Sequence, residues 1–122
     1  MISFPKIMNN LPNLENVNKY LEINDTIDGF LIQNEILLNI NLDELEIKNC
    51  LMKNISFNLC NLEKSYFNNC IFENCDLSNI ELSKSSIKKV YFKECKLNGS
   101  NFSGCFLDNL AFNRMCSKGL YL

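Results

Sequence analysis

From Leu42 onward the chain places an apolar residue at every fifth position: Leu42, Ile47, Met52, Phe57, Leu62, Phe67, Phe72, Leu77, Leu82, Ile87, Phe92, Leu97, Phe102, Leu107 and Phe112. Two residues before each lies a second series, running from Ile40, Leu45, Cys50 and Ile55 to Cys105 and Leu110, in which every member is small or apolar. An α-helix has no use for this pattern. Five steps of about 100° turn the apolar stripe by about 140° per repeat and smear it around the axis. In a strand, residues two apart share a face, so a pair such as Cys70 and Phe72 points inward while Ile71 between them points out.

The two remaining positions of each repeat must then turn the chain. The second of them is Asn or Gly in eight of the fifteen repeats: Asn49, Asn54, Asn69, Asn74, Asn79, Gly99, Gly104 and Asn109. Both residue types tolerate positive φ. A short strand, a corner and another short strand with the same inward pair wind into a polygonal solenoid whose coils stack by parallel pairing.

The segments CNLEK, CDLSN, CKLNG and SNFSG resemble the units of the pentapeptide repeat proteins, which read roughly A(D/N)LXX. The resemblance covers about residues 40–114. It implies an all-β fold, a right-handed quadrilateral parallel β-helix with four repeats, hence twenty residues, per coil. That gives about four coils, a stack of roughly 18 Å at strand spacing.

Steps of twenty sort the residues into four walls. The third has the inward column Met52, Phe72, Phe92 and Phe112, able to stack along the axis. Its outward positions, Leu51, Ile71, Tyr91 and Ala111, are apolar as well. The first wall faces outward with Asn41, Asn61, Glu81 and Asn101, the fourth with Ser56, Asp76, Lys96 and Cys116, and the second is mixed, with Glu46, Tyr66, Ser86 and Phe106. A contiguous apolar strip several coils tall marks a contact surface or a strip covered by the chain's own N-terminal segment. The candidate interaction surface is therefore Leu51, Ile71, Tyr91, Ala111, Tyr66 and Phe106.

Residues 1–36 are expected to form an N-terminal capping segment, and residues 37–122 the β-helix. Ile27, Ile32 and Leu37 keep the phase, but Asp25 and Glu35 break the small-position rule, which fits a degenerate first coil acting as a cap. Leu14, Val17 and Leu21 have helical spacing and predict one short helix, confined by Pro5 and Pro12. At the other end Ser117 breaks the central series. The expectation is that a second copy covers the last coil, making a homo-oligomer, unless the chain is a piece of a longer one.

Composition narrows the chemistry. With 122 residues, 47% of them apolar, the chain can build one core. A net charge of −2 gives no reason to expect direct nucleic-acid binding. Residues 40–114 hold nine basic and nine acidic side chains. Lys84, Lys88, Lys89, Lys93 and Lys96 crowd thirteen residues and read as a solvated basic patch rather than a phosphate site. No export signal or stretch of roughly 20 apolar residues is evident, so the expectation is a cytoplasmic protein without a membrane contact.

Six of the seven cysteines fall in the small series and Cys116 outside it, as reduced core thiols do rather than a disulfide framework. No histidine occurs and no C-x2-C pair, which leaves zinc ligation and His-assisted nucleophilic catalysis without parts. No cofactor is expected. The leading reading is a noncatalytic scaffold or protein-interaction module whose partner the sequence does not name, self-associating into a homo-oligomer. The alternative is implied by the resemblance: one branch of the family protects or inhibits bacterial type II topoisomerases such as DNA gyrase by imitating duplex DNA, and confers quinolone tolerance.

Overall fold

A computed structural model of the chain describes residues 4–37, 41–57 and 59–113. Its geometry begins at the corners. In fourteen successive repeats, from Glu44 to Asn109, the corner residue has positive φ, between 53° and 71°. Asn and Gly adopt this conformation at little cost, but Glu44, Leu59, Lys64, Lys84, Lys89 and Glu94 adopt it too. The stack imposes the corner even where the local residue disfavours it.

The corners fold seven strands into one parallel sheet system: β1 (Thr26–Asp28), β2 (Leu31–Ile36), β3 (Glu46–Lys48), β4 (Leu51–Ser56), β5 (Tyr66–Glu73), β6 (Ser86–Lys93) and β7 (Phe106–Asn113). Every pairing is offset by twenty residues, as in Thr26 with Glu46, Glu46 with Tyr66, Tyr66 with Ser86 and Ser86 with Phe106. One coil is therefore twenty residues, and the architecture is a parallel β-solenoid of about four turns.

The walls are not alike, and their outward residues say why. On the first and fourth walls, Asn61, Asp76 and Asn101 each accept from the backbone N–H two residues on, at 3.0, 3.0 and 2.9 Å, closing a tight Asx-type turn. Pairing there shrinks to single bridges, such as Asn61 with Glu81 and Asp76 with Lys96. The second and third walls carry Tyr66, Ile71, Ser86 and Tyr91 at the same position. With no Asn or Asp to fold back, the chain stays extended through the corner, and β5 and β6 each run eight residues.

Inside, the two series fill the shaft. The third-wall column stacks: Phe72 and Phe92 lie 5.3 Å apart at 17°, and Phe92 and Phe112 lie 5.3 Å apart at 11°. Phe57, Phe67 and Phe102 meet the column edge-on. The cavity left between Phe57, Phe67, Phe72 and Phe92 and the facing Leu and Ile side chains is about 10 Å³, room for no more than one water. At the last described coil the inward ladder emerges: Leu107 is 39% and Phe112 47% exposed.

The small series is more than filler. Every thiol or hydroxyl of the series except that of Ser65 donates to the carbonyl 23 residues earlier, in the coil below: among them Cys60 to Leu37 at 2.8 Å, Cys95 to Phe72 at 3.2 Å, Cys105 to Leu82 at 2.9 Å, Ser85 to Leu62 at 3.2 Å, and Ser100 to Leu77. Cys and Ser suit the position because they combine small volume with a donor.

The expected N-terminal helix is α1 (Val17–Tyr20), with Val17 buried and Leu14 and Leu21 packed on the core. Glu35, which breaks the small-position rule, accepts from the Val17 N–H at 2.8 Å and so holds the start of this helix over the first coil. β1 and β2 pair in register with β3 and β4, so the degenerate coil begins inside the segment expected as a cap.

Candidate interaction surface

The candidate residues assemble as two columns. Leu51, Ile71, Tyr91 and Ala111 stand in register on the third wall, above Leu31, and all four are half-buried. Tyr66 and Phe106 belong to the second wall, separated by Ser86. Phe106 is 58% exposed, with the Lys88 ammonium 5.1 Å from its ring centre. Leu107 and Phe112 of the inward ladder are exposed on the same strand, at the end of the last described coil.

The third-wall strip is not bare. Phe4 sets its ring edge against Tyr91, centroids 5.6 Å apart at 72°. Lys6 donates its N–H to Asn69 Oδ1 at 2.7 Å, and Asn69 Nδ2 donates back to the Lys6 carbonyl at 2.9 Å. Further on, the Leu31 N–H donates to the Pro12 carbonyl and the Leu14 N–H to the Leu31 carbonyl, both at 2.9 Å. The N-terminal segment thus descends across the coils, from the level of Tyr91 to below Leu31. The apolar outward strip left a cover as one of two readings and said nothing of its anchor: Asn69 reads as a corner residue and nothing marks it as a docking group.

Corner asparagines also form ladders. Asn69 donates to Asn49 at 2.9 Å and Asn49 to Asp28 at 2.8 Å; one corner over, Asn74 donates to Asn54 at 2.6 Å and Asn54 to Asn34 at 3.1 Å. The lysines that crowd in sequence disperse around the coil. Lys84 reaches Glu63 at 3.9 Å, Lys88 lies over Phe106, Lys93 pairs with Glu73 at 3.4 Å, and Lys96 stands in register with Asp76 on the fourth wall.

Burial pushes the Cys50, Cys70 and Cys105 thiols up, Cys70 to about 12, and contact with the Cys95 thiol together with burial pushes Cys75 up. Raised thiols stay protonated and weakly nucleophilic. Cys50, Cys60, Cys70, Cys75, Cys95 and Cys105 are free thiols, and Cys116 lies outside the described residues. Among the described residues no three His, Cys, Asp or Glu side chains group as a metal ion requires, and no helix is long and apolar enough to cross a membrane.

Comparison with known proteins agrees with this geometry. A family model for pentapeptide repeats, eight copies, matches residues 40–79, and one for a pentapeptide repeat region matches residues 65–119. Together they span about two-thirds of the chain, which belongs to the pentapeptide repeat family. Among curated proteins none matches. The crystal structure of the pentapeptide repeat protein Rfr23 from the cyanobacterium Cyanothece 51142 superposes on 88% of this chain and 95% of its own, with TM-score 0.73 and 16% identity. A trypsin-treated variant of QnrB1, a plasmid-mediated fluoroquinolone resistance protein, superposes on 80% of this chain and 64% of its own, with TM-score 0.63 and 17% identity. At these identities the likeness is one of fold.

Proposed function

We propose that the chain is a noncatalytic scaffold, a protein-interaction module of the cytoplasm that self-associates through its outer face. The observation that carries this reading is the contrast between a shaft whose central cavity is about 10 Å³ and β7, the last described strand, on which outward Phe106 is exposed and so are Leu107 and Phe112 of the inward ladder. A filled interior takes no substrate, and clustered exposed apolar groups are where a protein surface docks. Size-exclusion chromatography with light scattering tests it. The wild type should give an oligomer whose fraction rises with concentration, and Phe106→Asp a smaller assembly of unchanged thermal stability. A wild type that stays monomeric throughout counts against self-association. A pull-down from cell extract, with Ile71→Asp as control, tests for other partners.

The fold shared with QnrB1 motivates the second reading, a DNA-mimicking protector or inhibitor of gyrase. Charge speaks against it. A duplex of ~18 Å carries about ten phosphates, whereas residues 40–114 balance nine acidic against nine basic side chains. On the third wall Glu73 is held between Lys53 at 3.6 Å and Lys93 at 3.4 Å. Gyrase supercoiling, with or without a quinolone, should be unaffected by this protein; a protective effect would restore the second reading.

A further inference from the structure

Residues 4–8 lie in a seat that is built rather than incidental. Pro5 and Ile7 are half-buried while Phe4, Lys6 and Met8 are exposed, the alternation of an extended segment. Asn69 offers both halves of its amide to the Lys6 backbone, a two-point pairing like that between strands, and the bond from its Nδ2 to Asn49 fixes the amide's direction. Tyr91 supplies the ring against Phe4. The seat recognises backbone and one aromatic side chain.

Between this segment and the Pro12–Leu14 anchor stands a tight, exposed turn at Asn9 and Asn10, with Asn10 at φ 63°. Short hinge loops are where copies of a chain exchange the segments they carry, and such exchange needs no new surface because every contact is reproduced. Phe4 and Met8 remain 59% and 77% exposed when the segment folds back on its own chain, apolar surface that a second copy could cover.

We propose that the Asn69–Tyr91 seat takes residues 4–8 of a second copy, so that two chains exchange their N-terminal segments through identical contacts. The proposal rests on the self-associating reading and adds to it a second contact, separate from the Phe106 face.

The test uses the full chain with Asn9 and Asn10 deleted, which shortens the segment's reach by about 7 Å and denies it its own seat. Light scattering should then show a dimer. Lys6→Pro, which removes the N–H given to Asn69 from an exposed site, should return the shortened chain to monomer, whereas Phe106→Asp should leave the dimer intact. A well-folded shortened chain that is monomeric, or a dimer indifferent to Lys6→Pro, overturns the exchange. Loss of the dimer with Phe106→Asp but not with Lys6→Pro overturns it too, while leaving self-association through the outer face standing. Should the deletion disturb the circular dichroism spectrum, full chains labelled as donor and acceptor pools give the same reading. Energy transfer abolished by Lys6→Pro supports exchange; transfer that is absent, or unchanged by Lys6→Pro, refutes it.

Discussion

Phe92 lies between two rings of its own kind, with Phe72 5.3 Å away on one side and Phe112 5.3 Å away on the other, each within 17° of parallel. Removing the middle ring opens a hole that neither neighbour can close, since each is tied to its own coil by the twenty-residue register. Phe92→Ala should cost about 3–5 kcal/mol, measured by urea denaturation. Phe112→Ala should cost clearly less, because that ring is already 47% exposed.

Two serines one coil apart should respond in opposite directions. Ser85 Oγ donates to the Leu62 carbonyl and accepts from the Ser65 N–H at 3.0 Å, whereas the buried Ser65 Oγ has no partner among the described residues. Ser85→Ala should lose about 1–3 kcal/mol by stranding both backbone groups, and Ser65→Ala should be neutral or gain about 1 kcal/mol. Thermal melts of the two variants decide it.

Corner and ladder can be separated at Asn54, which bonds to Asn34 and Asn74 while holding φ 53°. Asn54→Gly removes the ladder bonds and keeps an unstrained corner; Asn54→Ala removes the bonds and adds the left-handed penalty. Alanine should therefore be the less stable of the two by about 1–2 kcal/mol in chemical denaturation. Equal stabilities would mean the corner is indifferent to its residue.

Alkaline pH should loosen the core through Cys70. Its thiol titrates near 9 when unfolded and at about 12 when folded, so between those values the unfolded chain has released a proton that the folded chain retains. Stability from this group is complete below pH 9 and declines toward pH 12, by up to about 1.4 kcal/mol per pH unit. Melting temperature across that window should fall more steeply for the wild type than for Cys70→Ala, even though the variant starts lower.

What the sequence disclosed follows from which interactions are local. The central series could be read because the corner repeats every five residues and both inward positions must be apolar or small, so Phe72, Phe92 and Phe112 were assignable to one column. The left-handed backbone at Leu59, Lys84 and Glu94 could not, since those side chains carry no mark of a conformation that the coils above and below enforce. Nor did the small positions reveal their donors: Cys95 reads as a compact apolar residue until the Phe72 carbonyl is seen beneath it. On the surface, Ile71 and Tyr91 were recognisable as an outward strip, but Lys6 meets Asn69 across 63 residues, and no pattern of spacing records so distant a contact. The five lysines show the converse error, neighbours along the chain that the winding sends to different faces.

That reach of 63 residues has a mechanical meaning. In a pile of loops bound only to the next loop up and down, unravelling starts at a free rim and travels like a zipper. A cord running crosswise from Leu31 to Tyr91 ties the lower storeys into one bundle, so that β7, which lies beyond the cord's reach, should open before the storeys the cord crosses.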